Sequence, residues 1–226
     1  MGTSKGYISP SSPKWVSAKR RVSAYISSPS VSKKKEVAAR YAQAMSDNNS
    51  LYKRATAVFS NFASFVLQGQ SNGFDRVLND YQLNQIIDLP PEEALSELIN
   101  AFSDGSTIDD DLACLCIYSA LEELSVNTLD DLSNLDVDIL IKEFVCQFSM
   151  LKFAQLFDKH IKSKCDSIAV ANARMQDIQE YIYNELMEKL TLERINAINP
   201  LNLANEQLVN NIMQEAFNIL EHYYDE

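Results

Sequence analysis

The chain has 226 residues, of which 46% are hydrophobic, 5 are glycine and 6 are proline. This length and apolar content suffice to bury a core, which excludes a chain that is disordered throughout. The low glycine and proline content favours helices over short strands and turns, so we expect an all-α fold. Charged residues interrupt even the most apolar stretch, residues 137–157, so we expect a soluble protein without a membrane span.

The charge is divided unevenly along the chain. Residues 1–60 carry 11 Lys/Arg and 2 Asp/Glu, whereas residues 61–226 carry 9 and 29, which gives net charges of +9 and −20. An acidic body repels nucleic acid at long range, so direct nucleic-acid binding is disfavoured, although a basic arm can still contact phosphate locally. A solvated basic tail attracted to its own acidic body is an equally open interpretation.

Residues 1–32 are rich in serine, glycine and proline. Such a segment buries too little apolar surface to order itself, and we predict an extended, flexible, basic arm followed by a helical domain over residues 33–226. The arm contains Trp15, the only tryptophan of the chain. Trp15 is a candidate anchor, and the pattern leaves open whether it docks on this chain or on a partner.

From Lys33 onward, apolar residues recur at helical spacing. The helices that this pattern predicts cover residues 33–45, 51–69, 74–87, 91–102, 108–124, 137–161, 168–192 and 204–224. The helix over 137–161 is apolar around most of its circumference, so we expect it at the centre of the core, with Phe144, Phe148 and Leu151 nearly fully buried.

Two helix starts carry capping signals. Asp88 precedes Pro90 and Pro91, which predicts an N-cap and a first turn for the helix that runs toward Phe102. Thr107 precedes three aspartates, residues 109–111, whose charges suit the positive end of a helix dipole. We interpret this acidic triplet as a cap, because a calcium loop needs oxygen ligands at positions one, three and five, and the sequence from Asp104 has Ile108 at the fifth position.

Residues suited to catalysis or metal binding are scarce. The two histidines, His160 and His222, lie near predicted helix ends, and Cys114-x-Cys116 lacks the Cys-x-x-Cys spacing of zinc and redox sites. No glycine-rich phosphate loop is present. We therefore expect no catalytic residue, no metal and no cofactor. The four cysteines fall in apolar helical pattern, and no apolar leader follows Met1, so we expect reduced thiols in a cytoplasmic protein.

The N-terminus holds the one reactive group of interest. A small second residue allows removal of Met1, which leaves the Gly2 α-amine, and such an amine has a pKa near 8 that makes it a better nucleophile at neutral pH than lysine. Myristoylation requires Ser or Thr at position 6, where this chain has Gly6.

Two stretches resemble the QatB family of the four-gene Qat antiphage defence systems of bacteria. The first is Met1-Gly2-Thr3-Ser4 followed by Gly6-Tyr7, a Ser/Pro run and Trp15, in which Lys14 separates the Pro-Trp pair of the family. The second is Asp104-Gly105-Ser106-Thr107-Ile108-Asp109, which leads into a helix that ends Ala120-Leu121-Glu122-Glu123-Leu124.

The resemblance implies a non-enzymatic subunit encoded beside an ATPase, a QueC-like enzyme and a TatD-like nuclease. Its implied partner is the QueC-like enzyme, which would receive the arm, with Gly2 as acceptor for deazapurine conjugation or processing. The implied partner-binding residues are Thr3, Ser4, Gly6, Tyr7 and Trp15. The alternative is an acidic adaptor or immunity protein that binds a basic protein partner without being modified.

Overall fold

A computed structural model describes residues 10–201 and 203–222 of the chain. Within these ranges the chain forms ten α-helices and no strand, which confirms the all-α prediction. The helices are α1 Pro13–Ser27, α2 Val31–Ser46, α3 Ser50–Asn72, α4 Phe74–Asp80, α5 Pro91–Ala101, α6 Ile108–Glu123, α7 Val137–Lys162, α8 Ile168–Lys189, α9 Leu192–Ile198 and α10 Glu206–His222. No helix of the described ranges combines the length and apolar character needed to cross a bilayer.

Helix α1 corrects the prediction of an extended arm for residues 13–27. Pro13 stands in its first turn, where a missing N–H costs no hydrogen bond. Trp15, Ala18, Val22 and Tyr25 recur at spacings of three and four and are all buried. The stripe is visible in the sequence, but the serines and prolines around it favoured an extended interpretation. The separation of residues 1–32 from residues 33–226 as domains stays a prediction.

The predicted cap at Thr107 is confirmed, whereas the predicted cap at Asp88 is not present. Thr107 forms a capping box with Asp110: its hydroxyl accepts from the Asp110 N–H at 3.1 Å, and the Asp110 carboxylate accepts from the Thr107 N–H, also at 3.1 Å. The expected role of Asp88 is wrong. The N-cap of α5 is Pro90, which lacks a side-chain cap, and the proline-fixed backbone sets the start of the helix instead.

The predicted helix over 74–87 is interrupted. α4 ends at Asp80, Gln82 takes a left-handed backbone conformation with φ 60°, and a short 3₁₀ turn follows at Asn84–Ile86. A second 3₁₀ turn covers Asp130–Asn134. Apolar spacing alone did not reveal the break, because Gln82 is not a typical residue for this conformation.

The chain divides into two compact units. Unit 1 comprises residues 10–49, 149–189 and 215–222 of the described ranges, and unit 2 comprises residues 50–148 and 190–214 apart from residue 202. The core of unit 1 contains an aromatic cluster around Tyr41, which meets the edges of Phe153 at 5.3 Å and Phe217 at 6.0 Å between ring centroids. In unit 2, Phe59 stacks on Phe144 at 3.9 Å.

The burial of α7 is confirmed for two of its three predicted core residues. Phe144 and Phe148 are fully buried, but Leu151 is half-buried, so that part of the prediction is wrong. Beyond Phe148 the buried face is shifted by one residue and is carried by Lys152 and Phe153. The helix thus buries a lysine, which binary apolar patterning places at the surface.

Candidate functional site: the anchored N-terminal helix

Trp15 anchors α1 within unit 1. Its side chain is 1% exposed, and its ring lies 5.9 Å from that of Phe157 and 6.5 Å from that of Tyr41. The Tyr41 hydroxyl in turn donates a hydrogen bond to the Ser149 carbonyl at 3.0 Å. This arrangement corresponds to self-docking, one of the two alternatives that the sequence left open. A contact between Trp15 and a partner would require the indole to leave this core.

Tyr25 ties the other end of α1 to α8. Its hydroxyl donates a hydrogen bond to Asp177, whose other carboxylate oxygen lies 2.6 Å from the Lys34 ammonium. Burial and the Asp177 charge both raise the pKa of Tyr25, so the phenol stays protonated. Burial opposes ionisation of Asp177, but the hydrogen bonds from Lys34 and Tyr25 outweigh it and lower the pKa of that carboxyl.

His160 of α7 faces the middle of α1. Its Nε2 lies 3.0 Å from the Ser23 hydroxyl and 3.1 Å from the Lys19 carbonyl. Because a carbonyl can only accept, Nε2 carries the proton and donates, so it cannot act as a base toward Ser23. Burial, with the charges of Lys164 and Lys19, lowers the pKa of His160. The pair joins two helices and does not form a nucleophile with its base.

Contacts of Lys19 and Lys14 fix the start of α1 and Pro10, the first described residue. The Lys19 ammonium donates to the Pro10 carbonyl at 3.2 Å, and Lys14 forms an ion pair with Asp47 at 2.6 Å. The predicted acceptor Gly2 and its neighbours Thr3, Ser4, Gly6 and Tyr7 lie outside the described residues. Eight residues from Gly2 to Pro10 span no more than about 29 Å when fully extended.

The Asp104–Asp109 stretch of the resemblance forms a structured loop in unit 2. Asp110 is fully buried, and its carboxylate binds Arg54 at 2.5 Å, while the same guanidinium binds Asp104 at 2.5 Å. Hydrogen bonds from Ser106 and Arg54 lower the pKa of Asp104. Asp110 therefore caps the start of α6, and Arg54 of α3 links Asp110 to Asp104. Sequence reasoning missed Arg54, since it lies over fifty residues away and has no local signal.

The cysteines do not form a reactive centre in the described ranges. Cys114, Cys116 and Cys146 are buried, Cys165 is half-buried, and none is in a disulfide. Burial raises the pKa of the Cys114 and Cys146 thiols, which keeps them protonated and unreactive. No group of three or more His, Cys, Asp or Glu side chains in these ranges is arranged to hold a metal ion.

The described residues thus form a helical protein in which the candidate reactive groups serve packing, capping and helix-to-helix contacts. Residues 36–220 match the family described as Qat anti-phage system associated protein QatB. The chain therefore belongs to the QatB family and is a component of the Qat anti-phage system. The matched range contains the Asp104–Asp109 stretch and leaves out the N-terminal stretch. The curated proteins and the solved structures contain no match to this chain.

Proposed function

We propose that this chain is a non-catalytic cytoplasmic subunit that binds a QueC-like enzyme of the same operon and presents its N-terminus to that enzyme. After removal of Met1, the Gly2 amine is the acceptor for deazapurine conjugation or is otherwise processed. The observation that carries the proposal is the anchorage of α1 through Trp15, Tyr25 and His160. This anchorage makes Pro10 a defined base for the segment that would enter the enzyme.

The chemistry at Gly2 is amide formation. The neutral α-amine attacks the carbonyl carbon of a deazaguanine carboxylate that the enzyme has activated with ATP, a new C–N bond forms, the adenylate leaves, and the amine loses a proton. An amine with a pKa near 8 is partly neutral at pH 7, unlike a lysine amine. The small side chains of Thr3 and Ser4 limit steric hindrance next to it.

The anchorage of α1 shortens the distance from the helical body that the Gly2 amine can reach. If residues 1–32 formed one extended arm, the amine could travel about 100 Å from the body. With α1 docked, Gly2 reaches no more than about 29 Å from Pro10. The entrance of the enzyme pocket must therefore lie close to the start of α1 in the complex.

The test is the intact mass of the chain purified from cells with and without the rest of the operon. We expect a mass increase at the N-terminus only when the QueC-like enzyme is present. Gly2→Leu retains Met1 and should abolish the increase and the protection against phage, while affinity for the enzyme stays within about twofold. An unmodified wild-type N-terminus in cells that carry the whole operon would disprove the conjugation.

The second candidate function is that of an acidic adaptor for a basic protein partner. Unit 2 favours it, because residues 50–148 and 190–214 carry 5 Lys/Arg against 19 Asp/Glu, a net charge of −14. The operon ATPase and the TatD-like nuclease are the further candidate partners. Protection against phage that persists with Gly2→Leu would favour this function over conjugation.

A further inference from the structure

Unit 2 contains two adjacent surface grooves on either side of the segment that joins α4 to α5. The first, of about 810 Å³, lies between this segment and α5. The second, of about 230 Å³, lies between the segment, α4 and residues 128–130. Ile86 and Leu89 line both grooves, so the two grooves share one apolar wall.

The grooves are held open by backbone hydrogen bonds. The Leu83 N–H donates to the Leu78 carbonyl at 2.8 Å, and the Ile86 and Leu89 N–H groups donate to the carbonyls of Leu83 and Ile86 at 3.0 and 3.2 Å. Pro90 and Pro91 restrict the backbone where the segment enters α5. A partner would therefore meet a surface that is already formed, which lowers the entropic cost of binding.

Apolar side chains form part of the wall of both grooves, next to the polar Gln85, Ser96 and Asn100 of the first groove. Leu83 lines the first groove, Leu78 and Leu129 line the second, and Ile87 is 49% exposed at the edge of the second. An isolated exposed isoleucine is common on protein surfaces, but one that adjoins a preformed, partly apolar groove is typical of an interaction site.

The rims of both grooves are acidic. Glu93 and Glu97, one helical turn apart on α5, border the first groove, and Asp75 and Asp130 border the second. The described residues that line either groove include no Lys or Arg. Four carboxylates on a unit of net charge −14 repel one another, so the ligand that this surface fits must bring positive charge.

We propose that these two grooves bind a partner protein of the Qat system through a segment of the partner that combines apolar side chains with Lys and Arg. The apolar side chains enter on both sides of Leu89, and the cations meet Glu93, Glu97, Asp75 and Asp130. Nucleic acid and anionic lipid surfaces carry the wrong charge for this rim. The inference rests on the part of the proposed function that gives this chain a protein partner, and is independent of the modification of Gly2.

The test compares two double charge reversals in unit 2. Glu93→Lys with Glu97→Lys alters the rim, and Glu122→Lys with Glu123→Lys makes the same change at exposed positions of α6 that do not line either groove. All four side chains lie at the surface, so both proteins should keep the wild-type helix content and Tm. The probes are the three neighbouring operon proteins, each purified, with Kd measured by calorimetry.

We expect one of the three proteins to bind the wild-type chain, the rim variant to bind it at least about tenfold more weakly, and the α6 variant to stay within about threefold. Ile87→Ser should also weaken binding. Equal affinity of the two charge variants would overturn the proposal, as would the absence of binding by all three proteins. A wild-type dimer that dissociates on substitution of the rim would identify a second copy as the occupant and overturn it as well.

The mass of the N-terminus separates this proposal from the proposed function. Binding that depends on the rim, with no mass increase at Gly2, keeps the groove proposal and removes the conjugation. A mass increase at Gly2, with binding that is unchanged in the rim variant, keeps the conjugation and removes the groove proposal.

Discussion

At the residue scale, a substitution of Phe148 tests how tightly α7 packs in the core. Its side chain is fully buried, and its ring lies 6.2 Å from that of Phe144 in a stacked arrangement. Phe148→Ala removes this contact and leaves a cavity, so we expect the free energy of unfolding to fall by about 3–5 kcal/mol in denaturant titrations. Leu151→Ala, at a half-buried position, is the control and should cost clearly less. Equal losses for the two would contradict this description of the core.

Asp110 is a second residue whose role depends on burial. It accepts hydrogen bonds from the Thr107 N–H and hydroxyl and from Arg54, and its side chain has no contact with solvent. Asp110→Asn keeps the shape but removes the charge that faces Arg54, so we expect a loss of about 1.5–3 kcal/mol in the free energy of unfolding. Asp111→Asn, exposed in the same turn, should change stability by less than about 0.5 kcal/mol.

At the element scale, the anchorage of α1 can be tested by proteolysis. Helix α1 contains trypsin sites at Lys14 and Arg20 that a docked helix protects. Trp15→Ala removes the indole that anchors α1 to the aromatic cluster of unit 1, and we expect rapid tryptic cleavage within α1 in this variant and slow cleavage in the wild type. Val16→Ala, at a 40% exposed position, should leave the wild-type pattern unchanged. Rapid cleavage of α1 in the wild type would contradict the docking.

His160 makes the contact between α1 and α7 sensitive to pH. Its folded-state pKa lies below the ordinary value of about 6.5, so folding favours the neutral ring. The stabilisation is complete above pH 6.5 and is lost as the pH falls below that value toward the folded-state pKa. Between pH 7.5 and 5.0, the wild-type Tm should therefore fall by more than that of His160→Gln. An equal or smaller fall in the wild type would contradict this contribution.

The sequence predicted most helices, but it did not predict the break after α4 or the helix α1. Periodicity identified α2, α3, α6, α7, α8 and α10 because their apolar stripes are long. It did not place the break at Gln82, because a left-handed backbone at a glutamine leaves no compositional trace. Helix α1 was missed for the opposite reason: its stripe was visible, but the surrounding serines and prolines favoured an extended interpretation.

The candidate site was less accessible to sequence reasoning than the fold. Tyr25 and Asp177 are 152 positions apart, and the Lys19 carbonyl and His160 are 141 apart. Nothing local marks either pair, since each residue alone is compatible with a solvated surface. Trp15 gave a signal as the single tryptophan of the chain, but it could not distinguish docking on this chain from docking on a partner.

At the scale of the whole molecule, basic and acidic residues are concentrated in different units of the fold. Unit 1 contains the basic N-terminal helices α1 and α2, and unit 2 has a net charge of −14. In unit 1 the cations of Lys14, Lys34 and Arg21 are paired with Asp47, Asp177 and Glu36. The basic segment is therefore partly neutralised within its own unit.

The length of the segment that precedes Pro10 limits how far Gly2 can reach from α1. If Gly2 must reach a pocket from a fixed base, removal of residues 7–9 shortens its reach by about 10 Å out of at most 29 Å. We expect the mass increase at the N-terminus to be lost in this deletion, while the helical domain still binds the enzyme. Replacement of residues 7–9 by Gly-Ser-Gly keeps the length and should keep the modification. Loss of modification in the replacement as well would show that the side chains of residues 7–9 matter, whereas full modification of the deletion variant would show that α1 leaves its docked position when the enzyme binds.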